Sequence, residues 1–314
     1  MSRICALWFA FAATICSGMA GTGVVVESVE PAGGAALSGI EEGQWLLGWE
    51  RRADGVVAAR GPLESPFELE RVEIEEAPLG PIRLVGDRVA FDVPPEEWLL
   101  RTRPVLDENR GNRLDRLLAA IEGGEIVAAL DTLSALASGA TDDVLSVWFR
   151  VRTADALGDT GAWSKSDALY DEATAASGRV DPSLVAAVRR AQGNLAERHG
   201  RQKEAIAAYG RALEAVASAS PNGLDVADLL WRSANVSYSL GDLDAAETQL
   251  ERALELAERT APESYSVAKT VNTLGKVAFR RGELDEADRR WRRALRLNER
   301  LAPEGRGVIN LVNN

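Results

Sequence analysis

The chain holds one histidine, His199, and two cysteines, Cys5 and Cys16, both close to its start. No paired-histidine metal motif, no G-x-S-x-G nucleophile turn and no glycine-rich phosphate loop occurs along it. The stretch "GTGVVV" leads into a strand, so it lacks the helix start that a phosphate loop needs. His199 stands just before a glycine, where a helix C-terminus favours it, and reads as structural. The sequence therefore predicts no catalytic residue, no metal and no cofactor. The chemistry left is recognition. Arg190, Asn194, Trp231, Asn235, Tyr238, Asn272, Lys276 and Phe279 fall on one helical stripe, and Asn194 and Asn235 take equivalent places on it. A carboxamide donates and accepts, so it can hold both the N–H and the C=O of an extended peptide. The bland alternative is a set of ordinary surface polar residues.

The interval from Asn194 to Asn235 recurs elsewhere. Residues 282–303, "GELDEADRRWRRALRLNERLAP", are identical to 241–262, "GDLDAAETQLERALELAERTAP", at more than half of their positions. Weaker copies start at Gly200, Gly161 and Gly123, giving glycine spacings of 38, 39, 41 and 41. Self-similarity at such a period marks a repeat array. Within the unit around Gly241, Val226, Leu229, Leu230, Ala234 and Tyr238 share one helical face, and Leu243, Ala246, Leu250, Ala253, Leu254 and Ala257 share another. Gly241 supplies the turn and Pro262 a stop, so each unit reads helix, turn, helix. Ala205, Ala246 and Ala287, and seven positions later Ala212, Ala253 and Ala294, allow close helix contact around Tyr209, Leu250 or Trp291. Such a hairpin buries its apolar stripe only by stacking on neighbours.

This pattern resembles the tetratricopeptide repeat. Ala287, Trp291 and Ala294 match the family's small residues and central aromatic, Leu274-Gly275 its first-helix pair, and Pro303 its helix-ending proline. The long unit is similar to the extended repeats of kinesin light chains. The resemblance implies an all-α tetratricopeptide superhelix over 114–314, the last repeat incomplete, that binds a protein or peptide partner in its concave groove. Arg190 with Asn194 resembles part of the carboxylate clamp of some chaperone-binding repeats.

A net charge of −12 argues against general nucleic-acid affinity. Residues 24–100 carry 16 acidic and 6 basic side chains, a net of −10, and 271–307 carry 6 and 10, a net of +4. Arg289, Arg290, Arg292, Arg293, Arg296 and Arg300 ride one helix, either as an anionic-partner surface or as a solvated face meeting acidic neighbours.

Residues 1–20 resemble a secretory signal peptide, with Gly18 and Ala20 before the cleavage point. The expectation is an exported protein, periplasmic or extracellular, without a membrane span after signal removal; an uncleaved anchor or a misassigned start is the alternative. Residues 23–93 predict strand, short helix, strand, helix and a final hairpin around Gly86-Asp87. Gly23-Val24-Val25-Val26, Pro31, Ala35-Ala36, Gly39-Ile40, Gly43-Gln44 and Leu46-Leu47 resemble a bacterial PDZ domain, with Gln44 in place of an aspartate. Residues 94–113, rich in proline and charge, read as a linker. The fold class is thus multidomain, a small mainly-β PDZ-like domain followed by helical repeats. This order resembles the front part of bacterial proteins that end in a CHAT domain, a caspase-like peptidase. The resemblance implies a sensor or regulatory part for such a domain in cis. Residues 308–314 align with the start of a further first helix.

Overall fold

A computed structural model describes residues 23–31, 33–53, 55–140, 142–178, 180–217 and 220–308. The signal-peptide reading of 1–20 and the alignment of 309–314 lie outside the described residues. Two compact units are distinguished, one reaching Asp107 and including the stretch from Leu301, the other running from Glu108 to Arg300.

In the first unit, β-branched and alternating segments become strands β1 (Val24–Val29), β2 (Trp45–Ala53), β3 (Val56–Pro62), β4 (Ile82–Gly86), β5 (Ala90–Val93) and β6 (Leu100–Pro104). The sheet order is β5-β4-β2-β1-β6, with β3 also on β2, and every pairing is antiparallel. Strand β4 shows the expected period of two: Ile82 and Leu84 are buried and Arg83 and Val85 half-buried. Two short helices complete the unit, α1 (Gly34–Leu37) and α2 (Pro66–Arg71), the latter continuing through a π turn at Val72–Glu76. Ser65 caps α2 by accepting from the Glu68 N–H at 3.2 Å. Val24, Leu46, Trp49, Leu63, Leu84 and Trp98 lie in one buried cluster.

Two strands fall outside the expectation. β3 carries exposed Val56 and Val57, so no buried face marks it. β6 corrects the reading of 94–113 as a linker. Leu100–Pro104 pairs along β1, from Val24↔Pro104 to Val29↔Leu100, and Trp98 is buried in the core. Pro104 lacks an N–H, which an end position on an edge strand tolerates.

The second unit holds ten helices among its described residues: α3 (Glu108–Glu122), α4 (Ile126–Ser138), α5 (Asp143–Asp159), α6 (Trp163–Ser177), α7 (Pro182–Arg198), α8 (Gln202–Ala217), α9 (Leu224–Leu240), α10 (Leu243–Thr260), α11 (Tyr265–Arg281) and α12 (Leu284–Leu301). Helix therefore begins at Glu108, ahead of the expected 114. Helices pack in pairs as hairpins, α3 with α4, α5 with α6, α7 with α8 and α9 with α10. First helices of neighbouring hairpins also touch, α5 with α7 and α9 with α11. The turn residues Gly124, Gly161, Gly200, Gly241 and Gly282 all have φ between 70° and 85°. In the first hairpin it is thus Gly124, not the expected Gly123, that takes the left-handed conformation. Pro182 is a second correction: it opens α7 behind the cap Asp181 instead of closing α6. The stop before Pro262 holds, since α10 ends at Thr260 and Ala261 leaves helical geometry.

Close helix approach is built as the small residues imply. Ala205, Ala246, Ala287, Ala212, Ala253 and Ala294 are all buried. A Cβ added at Gly275 would lie 2.6 Å from Trp291 Nε1, and one at Gly193 would lie 2.4 Å from Tyr209 Cε1. The intervening hairpin has Ala234 and Leu250 at these positions, so a smaller partner on the second helix leaves room for a methyl on the first.

Candidate protein-interaction face

Three equivalent helices, α7, α9 and α11, carry the stripe read from the sequence. At its first position Arg190 is buried, whereas Trp231 and Asn272 are half-buried. Asn194, Asn235 and Lys276 follow, all half-buried. The last position holds half-buried Tyr238 and then Phe279, 54% exposed. Seven of the eight residues therefore reach solvent to some degree. Arg190 is removed from the accessible face, because it sits among the carboxylates of Asp225 and Asp228.

Asp228 anchors the stripe. Its buried carboxylate accepts from Lys269 Nζ at 2.6 Å and from Arg232 Nε at 2.7 Å, with Arg190 also near. Burial alone would raise this carboxyl. Arg232, Lys269 and Arg190 together outweigh it and hold Asp228 well below the usual carboxylate range. Asp225 is pushed up, mainly by burial, although it accepts from the Val226 N–H. The cations extend over the rings: Lys269 Nζ stands 4.2 Å from the Trp231 centroid, and Arg280 stacks 5.0 Å from Tyr238 while donating to its carbonyl at 2.7 Å.

The two asparagines do not form a uniform ladder. Asn194 Oδ1 accepts from the Tyr209 hydroxyl at 2.8 Å and from Arg232 at 3.2 Å. Asn235 instead donates to the Trp231 carbonyl at 2.8 Å, one helical turn back. Sequence reading passed over Asp228, Lys269, Arg232 and Arg280. A signal existed for the first two: they occupy the same place in successive repeats, with opposite charge. The bonds Trp231–Thr273 and Arg280–Tyr238 likewise join one hairpin to the next, so stitching between hairpins follows the repeat period.

On α12 five of the six arginines of the row are paired with carboxylates. Arg289 and Arg290 bind Glu286, Arg292 binds Asp288, Arg293 binds Glu258 and Arg300 binds Glu263. This fits the solvated face meeting acidic neighbours. His199 bonds Asp159 at 2.8 Å and meets the Trp163 ring edge-on. Among the described residues no group of three or more His, Cys, Asp or Glu is arranged to hold a metal ion, and no helix is long and apolar enough to cross a membrane.

Residues 225–300 match the tetratricopeptide repeat family. No curated protein sequence matches the chain. Among solved structures the chain is similar to BtubC (BKLC) from P. vanneervenii, at 22% identity over 66% of this chain and 89% of that one, with a TM-score of 0.46. It is also similar to a signal-transduction ATPase with a tetratricopeptide repeat sensor from Pyrococcus horikoshii, at 12% identity over 66% of this chain but 32% of that one, with a TM-score of 0.49. A putative kinesin light chain from Podosopora anserina is similar at 13% identity over 61% and 95%, with a TM-score of 0.44. Residues 225–300 thus match tetratricopeptide repeats, within a chain whose described residues form a small antiparallel β region followed by ten helices arranged in tetratricopeptide-like repeats.

Proposed function

We propose that the chain is a protein-interaction scaffold that takes a peptide or protein partner along the stripe of α7, α9 and α11, with no catalysis, cofactor or nucleic acid of its own. In stacked hairpins the first helices line the inner face. One observation carries the reading: Phe279 is half-exposed with its ring tilted against Trp291, and Lys276, three residues before it on the same helix, has no ion-pair or hydrogen-bond partner among the described residues. A half-exposed ring and an unpaired cation one turn apart on a first helix are what a partner would cover. Replacing Asn235 and Lys276 together by alanine is expected to weaken partner capture at least tenfold while leaving the far-UV circular dichroism and melting temperature unchanged. Undiminished capture by the double variant would exclude this face.

We read the β region as PDZ-like, supported by its order of strand, short helix, two strands and helix. Residues 1–20 are read as a signal for export to the periplasm or beyond. The mature chain is then expected to begin at Gly21, and an intact mass that retains Met1 would exclude cleavage. The second reading, a sensor or regulatory part of a CHAT-type peptidase, rests on the order of segments in the sequence. Coding sequence for a caspase-like domain continuing after Asn314 would favour it over a free-standing scaffold.

A further inference from the structure

Glu96 lies between β5 and β6 in the first unit and is almost fully buried. Its carboxylate accepts from the backbone N–H groups of Arg306 and Gly307, at the start of a helical turn within the same unit. One oxygen, Oε1, has no hydrogen-bond partner among the described residues. The approach is close: a Cβ added at Gly305 would lie 2.2 Å from Glu96 Oε2, so a side chain there would have to displace the buried carboxyl. From α1, a Cβ at Gly34 would meet Glu96 Cγ at 3.3 Å. The charged groups nearby are Glu97, adjacent in the chain, and the pair Arg306–Glu30 at 3.6 Å. No part of the proposed partner-binding stripe enters this contact.

We propose that Glu96 is a proton-operated catch: protonated, it holds residues 305–308 on the β unit, and ionisation releases them. The geometry gives the reason. A buried carboxylate with one unpartnered oxygen is costly when charged and cheap when neutral. The docked segment supplies part of that burial, so docking and proton uptake are linked. Burial pushes the Glu96 carboxyl up to about 7, the two amides opposing and Glu97 adding to the rise, against 4.5 in water. The docked form therefore binds more protons than the released form between these values. Docking is fully favoured below about pH 4.5, weakens as pH rises, and levels off above about 7. A difference of that size corresponds to roughly a 300-fold fall in the docking constant.

The test uses the full chain, labelled with nitrogen-15, and reads the exchange protection of the Arg306 and Gly307 amides. Protection is referred to the unstructured rate at each pH. In the wild type it is expected to fall by about two orders of magnitude from pH 5 to pH 8. Glu96→Gln, neutral at every pH and of the same shape, is expected to keep these amides protected throughout. Gly305→Ala is expected to leave them unprotected even at pH 5, with circular dichroism unchanged. Wild-type protection equal at pH 5 and pH 8 would overturn the proposal. So would a Glu96→Gln chain that keeps the wild-type pH dependence, or a Gly305→Ala chain that stays protected at pH 5.

Discussion

Asp228→Asn is expected to lower the unfolding free energy by about 3 kcal/mol, the largest loss from any single charge change in the helical unit. The substitution keeps shape and leaves Lys269, Arg232 and Arg190 facing a neutral amide. Lys269→Met costs less, because Arg232 still neutralises the carboxylate. The double variant should therefore lose less than the sum of the two. The pH dependence has a definite sign. Asp228 titrates far below its ordinary value when folded, so its contribution is present above about pH 4 and fades as pH falls further. Urea denaturation at pH 7 should show the full deficit of the variant, and at pH 3 a smaller one. An equal deficit at both pH values would mean that Asp228 acts through packing alone.

Gly193→Ala is expected to be destabilising although alanine is the better helix former. The gain in helix propensity is about 1 kcal/mol. Against it stands a methyl placed 2.4 Å from a ring that is fully buried and cannot swing away. Overpacking costs about 1–3 kcal/mol. The Tyr209 hydroxyl also shares its one proton between Asn194 Oδ1 and Glu197, so moving the ring would cost a further bond of about 1 kcal/mol. The net loss is about 2 kcal/mol. Upstream, Ala154 coexists with Tyr170, whose hydroxyl bonds Asp155, the counterpart of Asn194, while Gly158 takes the place of Glu197. Trp291 is only half-buried, so Gly275→Ala should cost less. Adding Tyr209→Leu to Gly193→Ala rebuilds the Ala234–Leu250 arrangement and should recover part of the loss. A double variant as unstable as the sum of both single changes would remove the steric explanation.

The helical unit was legible because its signals are local. Glycine turns, evenly spaced small residues and a proline stop all act within one hairpin, and each of them returns in the next copy of the unit. The errors sit where a local signal has a non-local outcome. Gly123 and Gly124 are adjacent, and only the backbone chooses between them. Pro182 is as good a first helical residue as it is a stop. β6 is short, with two arginines and a proline, and its strand character comes from β1, at the other end of the β unit's sequence. The stripe was legible as a periodicity, but burial within it was not. Arg190 shares a repeat position with Trp231 and Asn272, yet Asp225 and Asp228 on the next hairpin draw it inside. A long-range charge triad of this kind leaves a trace in sequence only as opposite charges one repeat apart, as at Asp228 and Lys269.

The central claim is that partners bind the first-helix stripe, and site-specific photocrosslinking tests it most directly. A photoreactive residue would replace Phe279 on the stripe or Arg296 on α12, in the full chain expressed in its native host. Protein adducts are expected from position 279, carrying the same partner masses in each preparation and lost when Asn235 and Lys276 are alanine. Position 296 should give none of these species. Adducts formed at 296 and not at 279, or adducts at 279 indifferent to Asn235 and Lys276, would contradict the account and move recognition to the outer helices.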